Sequence, residues 1–177
     1  MDWIFRAGTP CVRLRIAASL IALAAIARPA HAAGPQACNP ADHNQVRLLI
    51  SVSGARSTTG NIAIIIYADD AKHFLDGKYK LARQSLPVAL SVTYACFAFA
   101  FAFAFAFAEP GYYAVALFHD RDNSGKFRTT ALGLPAEGYR FSNNPKLYFG
   151  PPGLSRVRFQ AHRGDNAVTV GMQHFGG

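Results

Sequence analysis

Most of the short signatures that betray chemistry are absent from this chain. It has no G-x-S-x-G elbow, no H-E-x-x-H, no C-x-x-C, no phosphate-binding Gly-rich loop and no dinucleotide fingerprint. Ser51 and Ser53 sit in an apolar run with no recognisable elbow around them. These absences lower the case for an enzyme without removing it, because catalytic groups can converge from distant positions. Cysteine is scarce, with three residues in 177, so more than one bridge is excluded. There is no long helical period in the apolar residues, which argues against a helical fold. Nor is the apolar run near the N-terminus long enough to span a membrane, at 12 residues against the about 20 that a crossing helix needs.

The longest N-terminal apolar run, Ile16 to Ala27, instead has the layout of an export signal. Arg6, Arg13 and Arg15 precede it, and Arg28-Pro29 and the small-residue site Ala30-His31-Ala32 follow. Residues 1–32 therefore read as a signal peptide cleaved between Ala32 and Ala33, and the mature protein as exported, to the periplasm or the extracellular space, with no transmembrane segment. Neither Cys11 nor Cys38 lies in a lipoprotein context. The mature chain has 145 of the 177 residues, the size of one domain. Its 14 basic residues against 9 acidic ones leave a net charge of +5. The clusters Lys78/Lys80/Arg83 and Arg156/Arg158/Arg163 read as solvated faces, and no nucleic-acid partner is expected. Loss of Cys11 with the leader leaves Cys38 and Cys96. An oxidising compartment allows them to pair, although the sequence cannot show that their Cα atoms come within reach.

Residues 33–45 hold Pro35 and Pro40 with little apolar content and read as a flexible arm. Residues 46–177 read as a single all-β domain, an antiparallel β-sandwich of about seven strands. Val46 to Ser53 and Asn61 to Ala68 are strands joined by a seven-residue turn-rich segment, Gly54 to Gly60, as two antiparallel neighbours. Ala71 to Leu81 reads as a short helix weakened by Gly77. Val88 to Thr93 resumes strand composition. Tyr112 to His119 is apolar at both parities, as a strand covered on both sides would be. Arg156 to Ala161 alternates like a half-exposed strand, and Arg163-Gly164-Asp165-Asn166 reads as a hairpin turn into Ala167 to Met172.

Between these lies an anomaly, six Phe-Ala repeats over 97–108. Strict alternation puts every phenylalanine on one face of a strand. At about 3.3 Å per residue the apolar stretch from Val88 would reach roughly 70 Å, against a radius of gyration near 15 Å for a domain this long, so it must bend, break or protrude. Three readings stand: a core strand lengthened by duplication, an aromatic face for a cofactor or lipid, and a surface for self-association.

The richest loop chemistry follows. His119-Asp120-Arg121-Asp122-Asn123-Ser124-Gly125 spaces oxygen side chains before a glycine, as a calcium loop begins, so Asp120, Asp122 and Ser124 are candidate metal ligands. The pattern then stops. Counting from Asp120, position twelve is Ala131 where a bidentate Glu is required, and position nine is the cation Arg128. The alternative is an Asp/Asn/Gly turn held by side-chain to backbone bonds. His119, Glu137, Tyr139, Asn143 and Asn144 complete a candidate ligand or partner loop with Asp120, Asp122 and Asn123. No cofactor is expected, with calcium kept open.

Gly111-Tyr112-Tyr113-Ala114-Val115, His119-Asp120 with Asn123-Ser124-Gly125-Lys126, Leu132-Gly133-Leu134-Pro135-Ala136-Glu137-Gly138-Tyr139, Phe141-Ser142-Asn143-Asn144 and Gly150-Pro151-Pro152 together carry a resemblance. From about Val46 to Met172 the chain resembles the bacterial exported family known as domain of unknown function 2141. The resemblance implies a leader followed by a prealbumin-like (transthyretin-like) β-sandwich and supplies no established activity. The chain departs from the family pattern at Arg128, where the family has an acidic residue, and at Thr130 and Arg140. These departures weaken a metal role carried over from the family. Prealbumin-like folds include a purine-pathway hydrolase, but its Tyr-Arg-Gly-Ser ending is absent here, where the chain closes Gln173-His174-Phe175-Gly176-Gly177.

Three functions remain: a non-catalytic module binding an envelope protein or small ligand through residues 119–144, an envelope hydrolase or metal-dependent enzyme using His119, Asp120 and Glu137, and a structural protein assembling through 97–108. If the repeat is a duplicated core strand, deleting four of its six units preserves folding and improves solubility. Loss of the folded circular dichroism spectrum on deletion would overturn that origin.

Overall fold

In a computed structural model of the chain, residues 45–99, 109–147 and 150–175 are described. The signal segment with its Ala32/Ala33 junction, the arm and Cys38 lie outside the described residues, as does the repeat from Ala100 to Ala108. Cys96 is disulfide-bonded.

Period-two alternation of β-branched residues sets the first strands. β1 (Val46–Ser53) and β2 (Asn61–Ala68) have the boundaries their composition predicts. Val46, Leu48, Ile50 and Val52 point one way from β1, and Ile62, Ile64 and Ile66 one way from β2, all at most 2% exposed. β3 (Ala82–Pro87), β4 (Val92–Phe99), β5 (Gly111–Asp120), β6 (Tyr139–Phe141), β7 (Phe159–Ala161) and β8 (Gly164–Gly171) follow, with a 3₁₀ turn at Leu154–Arg156. No helix among the described residues is long and apolar enough to cross a membrane.

The strands form two sheets. One has the order β4-β1-β8, and the other runs β3-β2-β5-β6 with β7 also paired to β5. Inward side chains of both sheets meet in one apolar cluster, in which Leu48, Ile50 and Val170 of the first lie with Ile62, Ile64, Val115 and Leu117 of the second. At roughly 1.5 to 3 kcal/mol for each fully buried aliphatic side chain, this cluster is the main source of stability. A smaller cluster of Tyr67, Ala114, Ala116, Phe141, Leu154 and Val157 covers the other face of the second sheet. β5 is therefore buried on both faces, which explains its apolar residues at both parities. Phe97, the first phenylalanine of the repeat, is 4% exposed and belongs to the main core.

Several sequence expectations are corrected here. β1 and β2 are not paired; β1 lies between β4 and β8, and residues 54–60 cross from one sheet to the other. Alternation determines which side chains point inward, but it does not choose the edge partner. The turn at 163–166 is likewise no hairpin, because β7 pairs with β5 while β8 pairs with β1, in parallel. The sheets are thus not wholly antiparallel. Asn166, within β8, ties the crossing by accepting from His162 N–H at 2.8 Å and donating to the His162 carbonyl at 2.7 Å. Residues 71–81 form turns and no helix. Asp70 and Asp76 accept the amides of Lys72 and Lys78, at 3.0 and 2.9 Å, and such local bonds compete with a helix. Residues 88–91 form the turn between β3 and β4, with the Ala89 amide bonded to Thr93 Oγ1 at 3.0 Å, so only Val92 and Thr93 of that expected strand are extended. β3 escaped notice because it is a polar edge strand, paired only to β2 within its sheet. The described strands number eight.

Gly60 shows how tightly the crossing loop meets β5. Its φ is +81°, and a Cβ there would lie 2.2 Å from the Asp120 carbonyl oxygen and 2.6 Å from Arg121 Cα. Gly60→Ala is expected to destabilise the fold by about 2 to 4 kcal/mol through the clash and the left-handed backbone. A urea midpoint equal to the parent's would contradict this packing.

Candidate functional site

β5 ends at His119 and Asp120, and alternation sends these neighbouring side chains to opposite faces. Asp120 closes a knot in its own loop. One carboxylate oxygen accepts Ser124 N–H at 2.9 Å and the other accepts Gly125 N–H at 2.8 Å. The knot needs left-handed backbone at Asn123 (φ 55°) and Gly125 (φ 75°), which asparagine and glycine tolerate. Asn61, at the start of β2, donates to Asn123 Oδ1 at 2.5 Å. Arg83 fastens the same loop by donating to the Gly125 carbonyl at 2.8 Å while its guanidinium lies over the Phe118 ring.

Beyond the knot the chain turns back on itself. Thr130 N–H bonds the Leu134 carbonyl at 2.7 Å, and Ala136 N–H bonds the Arg128 carbonyl at 3.0 Å. Phe127 anchors this excursion by packing on Phe118 and Tyr139, with ring centroids 5.6 and 5.5 Å away. The return places Glu137 beside the knot with its side chain fully buried. Its two oxygens accept the amides of Arg121 and Arg128 at 3.4 and 3.3 Å.

Asp120, Asp122 and Glu137 thereby come together, each offering one oxygen within 4.8 Å of the others. Three carboxylates so close require a cation, and the chain supplies one. The Arg128 guanidinium contacts Asp122 at 3.0 Å and Glu137 at 3.5 Å. Asp122 is held below its ordinary carboxylate range by hydrogen bonding from the Ser124 side chain first, with the Ser124 amide and Arg128 assisting. Its contribution to stability is thus present above the ordinary carboxylate range and is lost as pH falls through the lowered value. Ser124, the third residue of the predicted metal set, directs its hydroxyl to Asp120 Oδ1 at 3.4 Å.

On the other face of the strand end, His119 is 1% exposed and its Nε2–H donates to the Thr59 carbonyl at 2.7 Å. It forms part of the floor of a cavity of about 290 Å³, lined also by Arg56, Ser57, Arg121, Pro135, Glu137, His174 and Phe175. His174 holds the C-terminal segment in place by donating to the Gly54 carbonyl at 3.0 Å. Gly138 permits this approach, since a Cβ there would lie 2.5 Å from the His174 ring. Arg56 and Arg121 are exposed, and no group among the described residues bonds either guanidinium.

The remaining predicted residues make contacts within the scaffold. Tyr139 pairs with Gln173 through its backbone and packs against Phe127. Asn143 donates to the Arg158 carbonyl at 2.9 Å, and Asn144 bridges to the other sheet by donating to the Thr169 carbonyl and accepting from Gly171 N–H, at 3.0 and 2.9 Å. Arg56, Ser57, Arg121 and His174 escaped the sequence reading. Nothing in the local pattern could have joined positions 56 and 174.

These features define an all-β protein with a knotted acidic loop and a basic cleft at one end of its second sheet. Its chain belongs to the family described as "Uncharacterized protein conserved in bacteria (DUF2141)", whose model matches residues 50–169. No curated protein and no solved structure matches the chain.

Arg128→Ala leaves the buried Glu137 carboxylate without its cation. A loss of about 1 kcal/mol is expected, discounted for the half-exposed arginine. Adding Glu137→Gln should return part of it; equal urea midpoints for parent and Arg128→Ala would remove the pair from the stability account.

Proposed function

We propose that this is an exported, non-catalytic β-sandwich of the prealbumin-like class that binds a small anionic ligand in the cleft below residues 119–144. The observation that carries the reading is the chemistry of the cleft. Its free charged groups, Arg56 and Arg121, are cations, and Ser57 and His174 stand beside them. The neighbouring carboxylates already have Arg128 and backbone amides as partners. An anion entering here meets unpaired donors and displaces no internal ion pair. The lining is mostly polar, with Pro135, Ala136 and Phe175 supplying the apolar surface, as suits a small charged ligand.

A metal-dependent enzyme using His119, Asp120 and Glu137 is the second reading. It is favoured by the convergence of Asp120, Asp122 and Glu137. Against it, His119 and Asp120 face apart and Arg128 competes for the carboxylates. Assembly through 97–108 falls mainly on residues outside those described and rests on the sequence alone.

Isothermal titration with succinate, calcium and zinc separates the first two. Binding of succinate that Arg121→Ala weakens about tenfold supports the anion cleft. A metal isotherm abolished in Asp120→Ala and Glu137→Ala, without succinate binding, would transfer support to the enzyme reading.

A further inference from the structure

A second cavity lies elsewhere, at the opposite end of β2. It measures about 560 Å³ and is lined by Tyr67 and Ala68 from the strand end and by Asp70, His73, Lys78, Tyr79, Lys80 and Leu81 from the loop beyond it. That volume lies within the range of small-molecule sites. β2 is eight residues long, so about 26 Å of strand separates this cavity from the basic cleft.

Its polar groups differ in how far the protein satisfies them. Asp70 is spent: one oxygen accepts Lys72 N–H at 3.0 Å and the other meets His73 Nδ1 at 2.6 Å. Lys80 donates to the Gly77 carbonyl at 2.7 Å. The Lys78 ammonium and the Tyr67 hydroxyl have no partner among the described residues. For Lys78 this is ordinary, because the residue is exposed. Tyr67 is buried as a residue, at 4% exposed, but its hydroxyl is not a buried unpartnered atom, so the ring is covered and its tip reaches solvent. Burial, with the Asp76 carboxylate adding to it, pushes the Tyr67 phenol above its ordinary range and keeps it a neutral donor. The wall is flat. His73 and Tyr79 stack with centroids 3.8 Å apart and planes 20° from parallel, and Tyr79 remains 51% exposed. Leu81 and Ala68 add apolar surface.

We propose that this cavity is a second binding site, for a small aromatic carboxylate whose ring lies on Tyr79 and whose carboxylate receives the Tyr67 hydroxyl and the Lys78 ammonium. A flat aromatic wall suits a ring, and a neutral hydroxyl donor on a buried ring beside a free cation suits an acceptor of negative charge. Asp70 does not repel such a ligand strongly, since His73 and the Lys72 amide already bind its oxygens. The site shares no lining residue with the basic cleft.

The probe is 2-naphthoate, titrated against the full exported chain by calorimetry and by amide NMR shifts. Binding is expected to shift the amides of residues 67–81. Tyr67→Phe and Lys78→Ala should each weaken it about five- to tenfold, and neutral 2-naphthamide should bind at least tenfold more weakly. Circular dichroism checks that both variants fold; Tyr67→Phe keeps the ring and removes only the donor. Absence of binding at millimolar 2-naphthoate, binding unchanged in both folded variants, or shifts confined to Arg56, Arg121 and His174 would each overturn the proposal.

Discussion

Burial of β5 on both faces is the constraint on which the rest of this structure depends, because a strand covered twice can turn polar only where it leaves the core. One face of β5 supplies Val115 and Leu117 to the core shared by the two sheets, and the other supplies Ala114 and Ala116 to the outer cluster. β2 holds one edge, while β6 and β7 share the other. With every side occupied, His119 and Asp120 are the first polar side chains the strand can present, and both are still buried there. Each must be satisfied on the spot.

The protein meets that demand with local chain and with one arginine. Asp120 binds the amides of its own loop, His119 takes a carbonyl from the loop between β1 and β2, and Glu137 is balanced by backbone amides and Arg128. The carboxylate oxygens at the strand end are thereby hydrogen-bonded or ion-paired internally. The basic side chains around it, Arg56 and Arg121, remain unspent, and this imbalance gives the cleft its character. At the other end of β2 the same logic leaves Tyr67 and Lys78 unspent.

Much of the strand inventory was legible in the residues. β1 and β2 were readable to their termini, since Val46 to Ser53 and Asn61 to Ala68 alternate cleanly between turn signals. β5 was legible as doubly covered. The failures have physical causes: β3 is polar because it lies at an edge, the 71–81 segment gives its amides to Asp70 and Asp76, and the turns at 54–60 and 162–163 pass between sheets. At the site, Asp120 and Glu137 were visible as a loop signature, and Arg128 was visible as a cation out of place in a calcium pattern. That Arg128 would stand between Asp122 and Glu137 was not, because the chain must first turn back at Thr130 to Gly133.

The sequence by itself determined which residues point inward, where β1 and β2 begin and end, and that the stretch after His119 is a loop of special chemistry. Those properties depend on neighbours a few positions away, through the period-two geometry of a strand and the conformational preferences of glycine and asparagine. Only the tertiary structure decided which strands share a sheet, which carboxylates meet a cation and which cations stay free. Positions 56, 121 and 174 form one cleft because two connections and the segment after β8 meet at the same strand terminus. That coincidence is set by how two sheets share a core, and no local pattern records it.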